Sequence, residues 1–387
     1  MCVKMNKKFK MTFLFTILFL SLITLAGCSA NNIFAWYEGS SENDETPIVM
    51  NAGETLTIDK SYFAEIDFAF ERFELWIHSQ RLQQTKDSSI VEIKDNTITA
   101  KESGHVTIAA TLIQSRVGNA INQLGVFIGS FYIINESTMT HITTAEELAN
   151  INNNLSDHFI LMADIDLTEY EWVSLGDGHN EFKGMFVNPY GYTIDNLTIR
   201  SGKNARGFGL FGQIYRYAFI SGVILENIFI DVSDYEGNSL IVGGLVGTMM
   251  QNSMILDFSV SGSIISGGVH TGGVVGLNNF GIIKNGSFMG NIENHNVVLS
   301  STFAIGGIAG FNAFIPSLKN TANIINVTVN ADLDGGSLAN VGGIVGVTNF
   351  SNAIENASFI GTVIGRRAGT KVGFINLPGA DYPVNFE

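Results

Sequence analysis

Two carboxylates have a spacing that could bind a metal ion. Asp164 and Asp166 lie two positions apart in a strand-like run, so both side chains would face the same side of the strand. Paired carboxylates could hold Ca²⁺, but a calcium site needs six or more oxygen ligands and no acidic cluster follows. The sequence favours the alternative, in which these side chains cap the turn after Ala163.

Catalytic groups show no such pairing elsewhere. The sequence lacks the HExxH, GxSxG and P-loop motifs of metalloproteases, serine hydrolases and nucleotide-binding proteins. Polysaccharide-degrading enzymes need paired carboxylates or a calcium cluster beside a basic residue. The acids of the C-terminal half are instead scattered, at Glu226, Asp231, Asp234, Glu236, Glu293, Asp332, Asp334 and Glu355. We therefore expect no catalytic residue.

Metal and cofactor sites are not expected either. His78 and His105 are isolated, whereas zinc needs three or four convergent ligands. Both cysteines, Cys2 and Cys28, lie in the first thirty residues, so neither a disulfide framework nor a cysteine metal site is expected in the folded part. The net charge of −15 disfavours nucleic acid as a partner.

Aromatic residues gather where a repeated pattern, described below, is interrupted. Two longer connections contain the residues that we predict to bind a ligand: Tyr215, Arg216, Tyr217, Phe311 and Phe314. Aromatic platforms with neighbouring amides suit sugar rings or a protein partner. The alternative is that these side chains pack over the wall of the fold.

The N-terminus has the features of an export signal. Four lysines within residues 1–10 precede an apolar run at 11–22, and Leu25-Ala26-Gly27-Cys28 follows. This sequence resembles the lipobox of bacterial lipoproteins. The resemblance implies that residues 1–27 are removed and that Cys28 carries acyl chains, which would hold the chain on a membrane, facing outside the cytoplasm. An uncleaved signal anchor is the alternative, but the run is short for a membrane span.

The elements that must position these groups come from a repeat. A glycine-rich six-residue motif, called the glycine clause below, occurs at residues 207–212, 242–247, 271–276, 305–310 and 341–346. Each copy is associated with an apolar residue two positions before an amide or acid, and an alternating apolar run follows. We interpret these amides and this acid as a structural ladder of stacked side chains: Asn196, Asn227, Asp257, Asn285, Asn326 and Asn356. Recurrence at about 30 residues is typical of a solenoid.

These copies resemble the GLUG motif, a short repeat of bacterial surface proteins. The alternation predicts strands with one buried face, and because one such strand cannot bury its face alone, successive copies must stack. The glycine pairs are expected to supply positive φ angles and close backbone contact at a corner. Residues 137–387 should therefore form a right-handed parallel β-helix. A capping box at Thr144 and Glu147 predicts a short N-terminal capping helix.

Residues 47–136 have a different pattern. Short alternating runs separated by turn signals predict an antiparallel sandwich of about seven strands with Trp76 in its core. Residues 88–112 resemble the group-two bacterial immunoglobulin-like domains, which implies an immunoglobulin-like spacer or binding module. Residues 28–46, rich in polar side chains, would form the lipidated N-terminus and a flexible tether.

The expected protein is therefore all-β: an immunoglobulin-like sandwich followed by a parallel β-helix. Its expected function is that of a membrane-anchored surface lipoprotein that binds an extracellular glycan or protein without catalysis. Two alternatives stay open, a polysaccharide-degrading β-helix enzyme and a purely structural stalk.

Overall fold

The computed structural model describes residues 32–36, 47–78, 88–114, 121–176, 180–200, 207–234, 240–295, 303–314, 322–350 and 352–375. Nearly all regular structure in these residues is β-strand, accompanied by one short α-helix and by 3-10 turns at Lys60–Phe63, Glu136–Thr138 and Asn150–Asn153. The strands form an N-terminal unit of two sheets and a parallel β-solenoid of about six turns.

The N-terminal unit consists of eight strands. They are β1 (Asn32–Trp36), β2 (Ile48–Asn51), β3 (Thr55–Thr57), β4 (Arg72–His78), β5 (Val91–Lys94), β6 (Thr97–Ala100), β7 (Gly104–Ile113) and β8 (Ile121–Ile134). One sheet has the order β1-β8-β7-β4, with β2 also paired to β8, and the other has the order β3-β6-β5. Residues from both sheets, including Leu75, Ile98 and Phe131, share one hydrophobic core.

Three features of this unit differ from the expectation. The strand β1 lies within the predicted tether, and both β1 and β2 run parallel to β8 instead of antiparallel. Trp76 is buried, but it packs with Ala109 and Phe127 and not in the main core. Because side chains alternate along β4, Leu75 takes the core face and Trp76 the opposite one.

The solenoid begins with β9 (Thr140–Ile142) and α1 (Ala145–Ala149). Its strands then follow in order: β10 (His158–Leu161), β11 (Ile165–Asp166), β12 (Met185–Val187), β13 (Thr193–Asp195), β14 (Thr198–Arg200), β15 (Gly207–Phe208), β16 (Phe211–Ile214), β17 (Phe219–Ser221), β18 (Ile224–Val232), β19 (Ile241–Gly243), β20 (Val246–Met249), β21 (Met254–Ser266), β22 (His270–Gly272), β23 (Val275–Asn279), β24 (Ile282–Asn294), β25 (Ala304–Gly306), β26 (Ala309–Ala313), β27 (Ile324–Asp334), β28 (Asn340–Gly342), β29 (Val345–Thr348), β30 (Ile354–Ile364), β31 (Arg367–Gly369) and β32 (Val372–Ile375).

These strands stack into three parallel sheets. The first glycine sheet has the order β15-β19-β22-β25-β28-β31, and the second glycine sheet has the order β16-β20-β23-β26-β29-β32. The long sheet contains the remaining solenoid strands and ends with β18, β21, β24, β27 and β30. Each later turn therefore runs from the long sheet through both glycine sheets and back, around a continuous apolar core.

The helix α1 lies at the first turn, as the sequence predicts. Thr144 Oγ1 accepts a hydrogen bond from the Glu147 amide, and the Glu147 carboxylate accepts one from the Thr144 amide. Such a capping box contributes about 1 kcal/mol. Leu148 and Ile151 are fully buried in the solenoid core, so this segment covers apolar side chains of the first coil.

Glycines of the repeated clause are required by close backbone packing. A Cβ atom on Gly310 would lie 2.6 Å from the Thr271 nitrogen and 2.7 Å from the Gly276 oxygen. The second glycine sheet thus packs against backbone of the first. The expectation of positive φ is wrong for the paired glycines at 243, 272, 306 and 342, whose φ lies outside the left-handed region. Space, and not backbone conformation, excludes a side chain there.

The predicted ladder residues all have positive φ, between 48° and 62°. Asparagine and aspartate tolerate this left-handed conformation better than other side-chain-bearing residues. In the later turns the Asn285 amide donates to Asp257, Asn326 to Asn285, and Asn356 to Asn326, at 2.7–3.1 Å. These four side chains are exposed, so this column lies on the outside of a bend in the long sheet.

The first two ladder residues belong to a separate column. Asn196 donates to Asp166, and Asn227 donates to Asp195, both at 2.9 Å. In the later column, the turn that precedes Asp257 contributes Gly222 and not an asparagine. The Gly222 amide donates a hydrogen bond to the Leu256 carbonyl. The six predicted ladder residues therefore form two columns and not one. The same sequence pattern, an apolar residue two positions before an amide or acid, occurs at two different bends.

A second set of asparagines lies inside the solenoid. Asn278, Asn312 and Asn323 are each at most 2% exposed. Asn312 Oδ1 accepts hydrogen bonds from Asn278 Nδ2 at 2.8 Å and from Asn323 Nδ2 at 3.1 Å, and Asn312 Nδ2 donates to Asn323 Oδ1 at 2.9 Å. The carbonyl of Gly281 accepts from Asn278 and Asn323. This network is the buried amide cluster.

Candidate functional site

The predicted aromatic residues do not form one platform. Tyr215, Arg216 and Tyr217 follow β16 and are half-buried. The Tyr215 ring lies 5.7 Å from Lys183 Nζ. Tyr217 has φ 65° and stacks on His105 of the N-terminal unit, with ring centroids 4.1 Å apart and planes 13° apart. Tyr217 therefore contributes to the contact between the two units.

The second predicted pair lies at the same corner, three turns further along. Phe311 lies 5.1 Å from the His270 ring, and Phe314 is 7% exposed and 5.9 Å from the Phe350 ring. Three strand spacings of ~4.8 Å separate this pair from Tyr217 along the axis. Both rings thus pack against other aromatic side chains of the solenoid, as in the alternative interpretation.

An aromatic contact joins the N-terminal unit to the solenoid. The His105 ring lies 4.8 Å from Tyr132 and stacks on Tyr217. Tyr132 is buried, stacks on Phe219 at 4.6 Å, and donates a hydrogen bond of 3.3 Å to the Asn252 carbonyl. Burial raises the pKa of Tyr132, so its hydroxyl stays protonated. We refer to these four side chains, together with the Asn252 carbonyl, as the aromatic joint.

Burial lowers the pKa of His105 to about 3, because desolvation disfavours the charged ring. Its buried Nε2 atom has no hydrogen-bond partner among the described residues. His105 is therefore neutral in the folded protein, and its position favours packing over metal binding. The sequence showed only an isolated histidine, since its partners are distant along the chain.

This buried histidine predicts a pH dependence of stability. Below pH ~6.5 the unfolded chain binds a proton at His105 that the folded chain does not, so protonation favours unfolding. We expect the free energy of unfolding to fall by about 2 kcal/mol between pH 7 and pH 5 from this group. His105→Phe should retain the stacked ring and reduce the pH dependence, measured by urea unfolding with Trp fluorescence. An unchanged slope would contradict the buried, neutral state.

The outward side of the long sheet carries a regular array of exposed and half-buried side chains. On β21, β24, β27 and β30 the alternate residues face away from the core and stand in register. Three columns form the polar face: Ser259, Ser287, Thr328 and Ser358; Ser261, Met289, Asn330 and Ile360; Ser263, Asn291, Asp332 and Thr362.

The polar face is a grid of hydroxyl and amide groups. Its strands are about 4.8 Å apart, and its columns about 6.6 Å apart. Asp332 is its sole charged member, and its carboxylate accepts hydrogen bonds from the Thr362 amide and hydroxyl. Met289 and Ile360 add exposed apolar surface, at 56% and 69% exposure. This arrangement offers many neutral donors and acceptors to an extended ligand.

The sequence pointed to interruptions of the repeat and missed this face. Its members are the polar residues between the buried positions of each alternating run, such as Ser259, Ser287 and Thr328. Their alternation was visible, but alternation alone indicates only exposure. The four strands form one surface because their residues are in register, and this register depends on how the turns stack.

The carboxylates considered as calcium ligands make hydrogen bonds within the chain. Asp164 accepts from the Thr193 amide at 2.8 Å, and Asp166 accepts from Thr168 and Asn196. The bonds from Thr168, first of all that from its hydroxyl, and the bond from Asn196 lower the pKa of Asp166. Among the described residues no group of three His, Cys, Asp or Glu side chains is placed to hold a metal ion.

The predicted anchor, Cys28, and the apolar run before it lie outside the described residues. Within the described part of the chain, no helix combines the length and the hydrophobicity needed to cross a bilayer.

Comparisons with known proteins give limited matches. No protein-family model matches the chain. A protein of Evansella cellulosilytica, provisionally named Gly-rich membrane protein, is 36% identical over 114 residues. The match covers 27% of this chain and 13% of that protein. Among solved structures, an IgA1 protease is similar with a TM-score of 0.41 and 16% identity, over 78% of this chain and 27% of the protease.

Proposed function

We propose that this protein is a surface lipoprotein whose solenoid presents the polar face to an extracellular glycan or protein, without catalysing a reaction. The observation that carries the proposal is the register of the polar face, in which eleven of twelve outward-facing side chains are uncharged. Hydroxyl and amide groups at regular spacing can exchange hydrogen bonds with sugar hydroxyls or with a polypeptide backbone.

The N-terminal unit would act as the spacer of this arrangement. Its two sheets and shared core are compatible with the immunoglobulin-like domain that residues 88–112 resemble. The aromatic joint would hold the solenoid at a fixed orientation to this spacer. The glycine packing and positive-φ asparagines are likewise compatible with a repeat of the GLUG type.

The membrane attachment rests on the lipobox resemblance at Cys28. The name of the Evansella cellulosilytica relative also refers to a membrane protein. With acyl chains on Cys28, the protein should sediment with membranes, and a block of signal processing by globomycin should leave a longer precursor. Cys28→Ala should release the processed chain or leave a precursor; a processed Cys28→Ala chain that still sediments with membranes would contradict lipidation.

The binding function can be tested with an array of glycans and matrix proteins, probed with the full chain in detergent. If the polar face binds, Asn330→Arg should reduce any signal at least tenfold, because its bulk and charge stand in the middle column. Ser337→Arg is the control, since Ser337 is exposed in a turn outside that face. Equal loss in both variants, or loss in neither, would contradict the assignment of the face.

Incubation of the full chain with the glycans of this array distinguishes the two alternative functions. New reducing ends or unsaturated products from a glycan would indicate a polysaccharide-degrading enzyme. An array without a signal above background would favour the structural stalk. Either result would replace the proposed binding function.

A further inference from the structure

The last strand of the long sheet has one unpaired edge in the described structure. Along its length β30 pairs with β27 on one side, and no described strand pairs with the other side. An edge of eleven residues presents a row of amide and carbonyl groups that can pair with another strand. Natural edges are commonly protected by lysine or proline, and β30 contains neither.

Burial along β30 shows that its inner face is incompletely covered. In β27 the core positions Val327, Val329 and Leu333 are at most 2% exposed. The residues in register with them, Ala357, Phe359 and Val363, are only half-buried. Ile360 and Ile364 on the other face are 69% and 53% exposed. A strand added at this edge would therefore bury apolar side chains as well as backbone groups.

Another parallel turn does not fit this edge. In the preceding turns a Cβ atom on Gly273, Gly307 or Gly343 would collide with the carbonyl oxygen of the corresponding residue in the next turn. That residue is glycine until the last described turn, where it is Thr370. Thr370 has a Cβ atom, so a further turn of the same geometry would place its carbonyl against this side chain.

The sequence of β30 is complementary to itself when reversed about Ile360. Antiparallel pairing centred there places Phe359 opposite Gly361, so the ring can cover the glycine of the other strand. It also places Ala357 opposite Val363, and Ser358 opposite Thr362. Small residues thus meet large ones on the core face, and hydroxyls meet on the outer face.

Charge supports the same orientation. Glu355 lies near the start of β30, and Arg366 follows its end. Two antiparallel copies bring the acidic end of each strand toward the basic end of the other, whereas a parallel arrangement would align like charges. We propose that β30 pairs with β30 of a second copy of this chain, antiparallel and around a two-fold axis at Ile360.

Disulfide trapping in the full chain tests this interface. Directly opposed residues of an antiparallel pair have Cα atoms about 4.5–5.5 Å apart, within the range of a disulfide. Ile360→Cys should give a covalent dimer on oxidation, seen on a non-reducing gel. Met289→Cys is the matched control, because it is exposed in the same column two turns away. We expect at least fivefold more dimer from Ile360→Cys.

The register gives an independent readout. A mixture of Ser358→Cys and Thr362→Cys chains should cross-link as a heterodimer, and each variant alone should cross-link at least fivefold less. The parental chain, with Cys2 and Cys28, defines the background. Equal cross-linking of Ile360→Cys and Met289→Cys, or none from a folded Ile360→Cys chain, would overturn the proposal. A segment after Ile375 that covered the edge would give the latter result.

This self-association does not depend on the ligand. The Asn330→Arg array test reports on binding at the polar face, whereas the cysteine variants report on the edge of β30. Loss of one result therefore leaves the other interpretable.

Discussion

Asn312→Leu is expected to destabilise the solenoid by about 3 kcal/mol, because Asn312 is the centre of the buried amide cluster. Its side chain accepts two hydrogen bonds and donates one, all inside the core. Leucine would leave Asn323 Oδ1 without its donor and remove the acceptor of Asn278, and unsatisfied buried groups cost about 1–3 kcal/mol each. Urea unfolding followed by tryptophan fluorescence, to which Trp172 contributes from the solenoid core, measures the loss.

The matched control is an asparagine of the exposed column. Asn285→Gly keeps the positive φ of 59° without strain and removes only solvent-exposed hydrogen bonds. We expect it to change the free energy of unfolding by less than about 1 kcal/mol. If both substitutions had the same effect, the amides at the two positions would have the same role, contrary to their burial.

Gly310→Ala is expected to be at least as damaging, with a loss of about 3 kcal/mol or failure to fold. The added methyl group would meet the backbone of Thr271 and Gly276 at 2.6 and 2.7 Å, closer than real Cβ contacts allow. Both contacts are with backbone atoms of the preceding turn, which cannot move aside without disturbing the stacking of the two turns. Circular dichroism and thermal unfolding of the full chain would detect the change.

Gly336→Ala provides the comparison for this clash. Gly336 has φ 57°, and no atom lies within 4 Å of the position of an added Cβ. Alanine there should cost only the strain of a left-handed residue, about 1 kcal/mol. Similar losses at Gly310 and Gly336 would contradict the packing explanation of the glycine clause.

The solenoid was the most predictable part of the structure. The glycine clauses and the alternation after each amide are local signals that recur at nearly constant spacing, and parallel stacking follows because no single copy can bury its apolar face. The capping box at Thr144 and Glu147 was equally local. Short strands such as β5 and β6 of the N-terminal unit also followed from alternation between turn signals.

The amide positions were harder to interpret. Asn285 and Asn326 read as ladder residues, but the sequence does not say whether a ladder faces the core or water. Their left-handed φ places them on an outer bend. The buried cluster had one available signal, since Asn278 and Asn312 each occur two positions after the last glycine of a clause. Asn323 lies outside that pattern and joins them only through the fold.

The candidate sites were the least predictable, because they depend on contacts between distant segments. The sequence places Tyr217 in a connection between strands, and only the fold shows that His105 stacks on its ring. The polar face required the register of four strands, and the parallel pairing of β1 with β8 joins segments about 90 residues apart. Sequence periodicity reports which side of a strand is buried, but not which distant segment covers a side chain.

The repeated packing of the glycine sheets also determines how the chain could change in length. An interior turn, such as the one that begins at Ile282, pairs in continuous register with the turn before it and with the turn after it. An in-frame duplication of that turn would therefore find its hydrogen-bond partners and its glycine contacts on both sides. The first turn, covered by α1, and the last described turn, which contains Thr370, lack this interchangeability. Evolution can thus lengthen the solenoid by whole interior turns of ~4.8 Å while the turns with α1 and Thr370 stay unchanged.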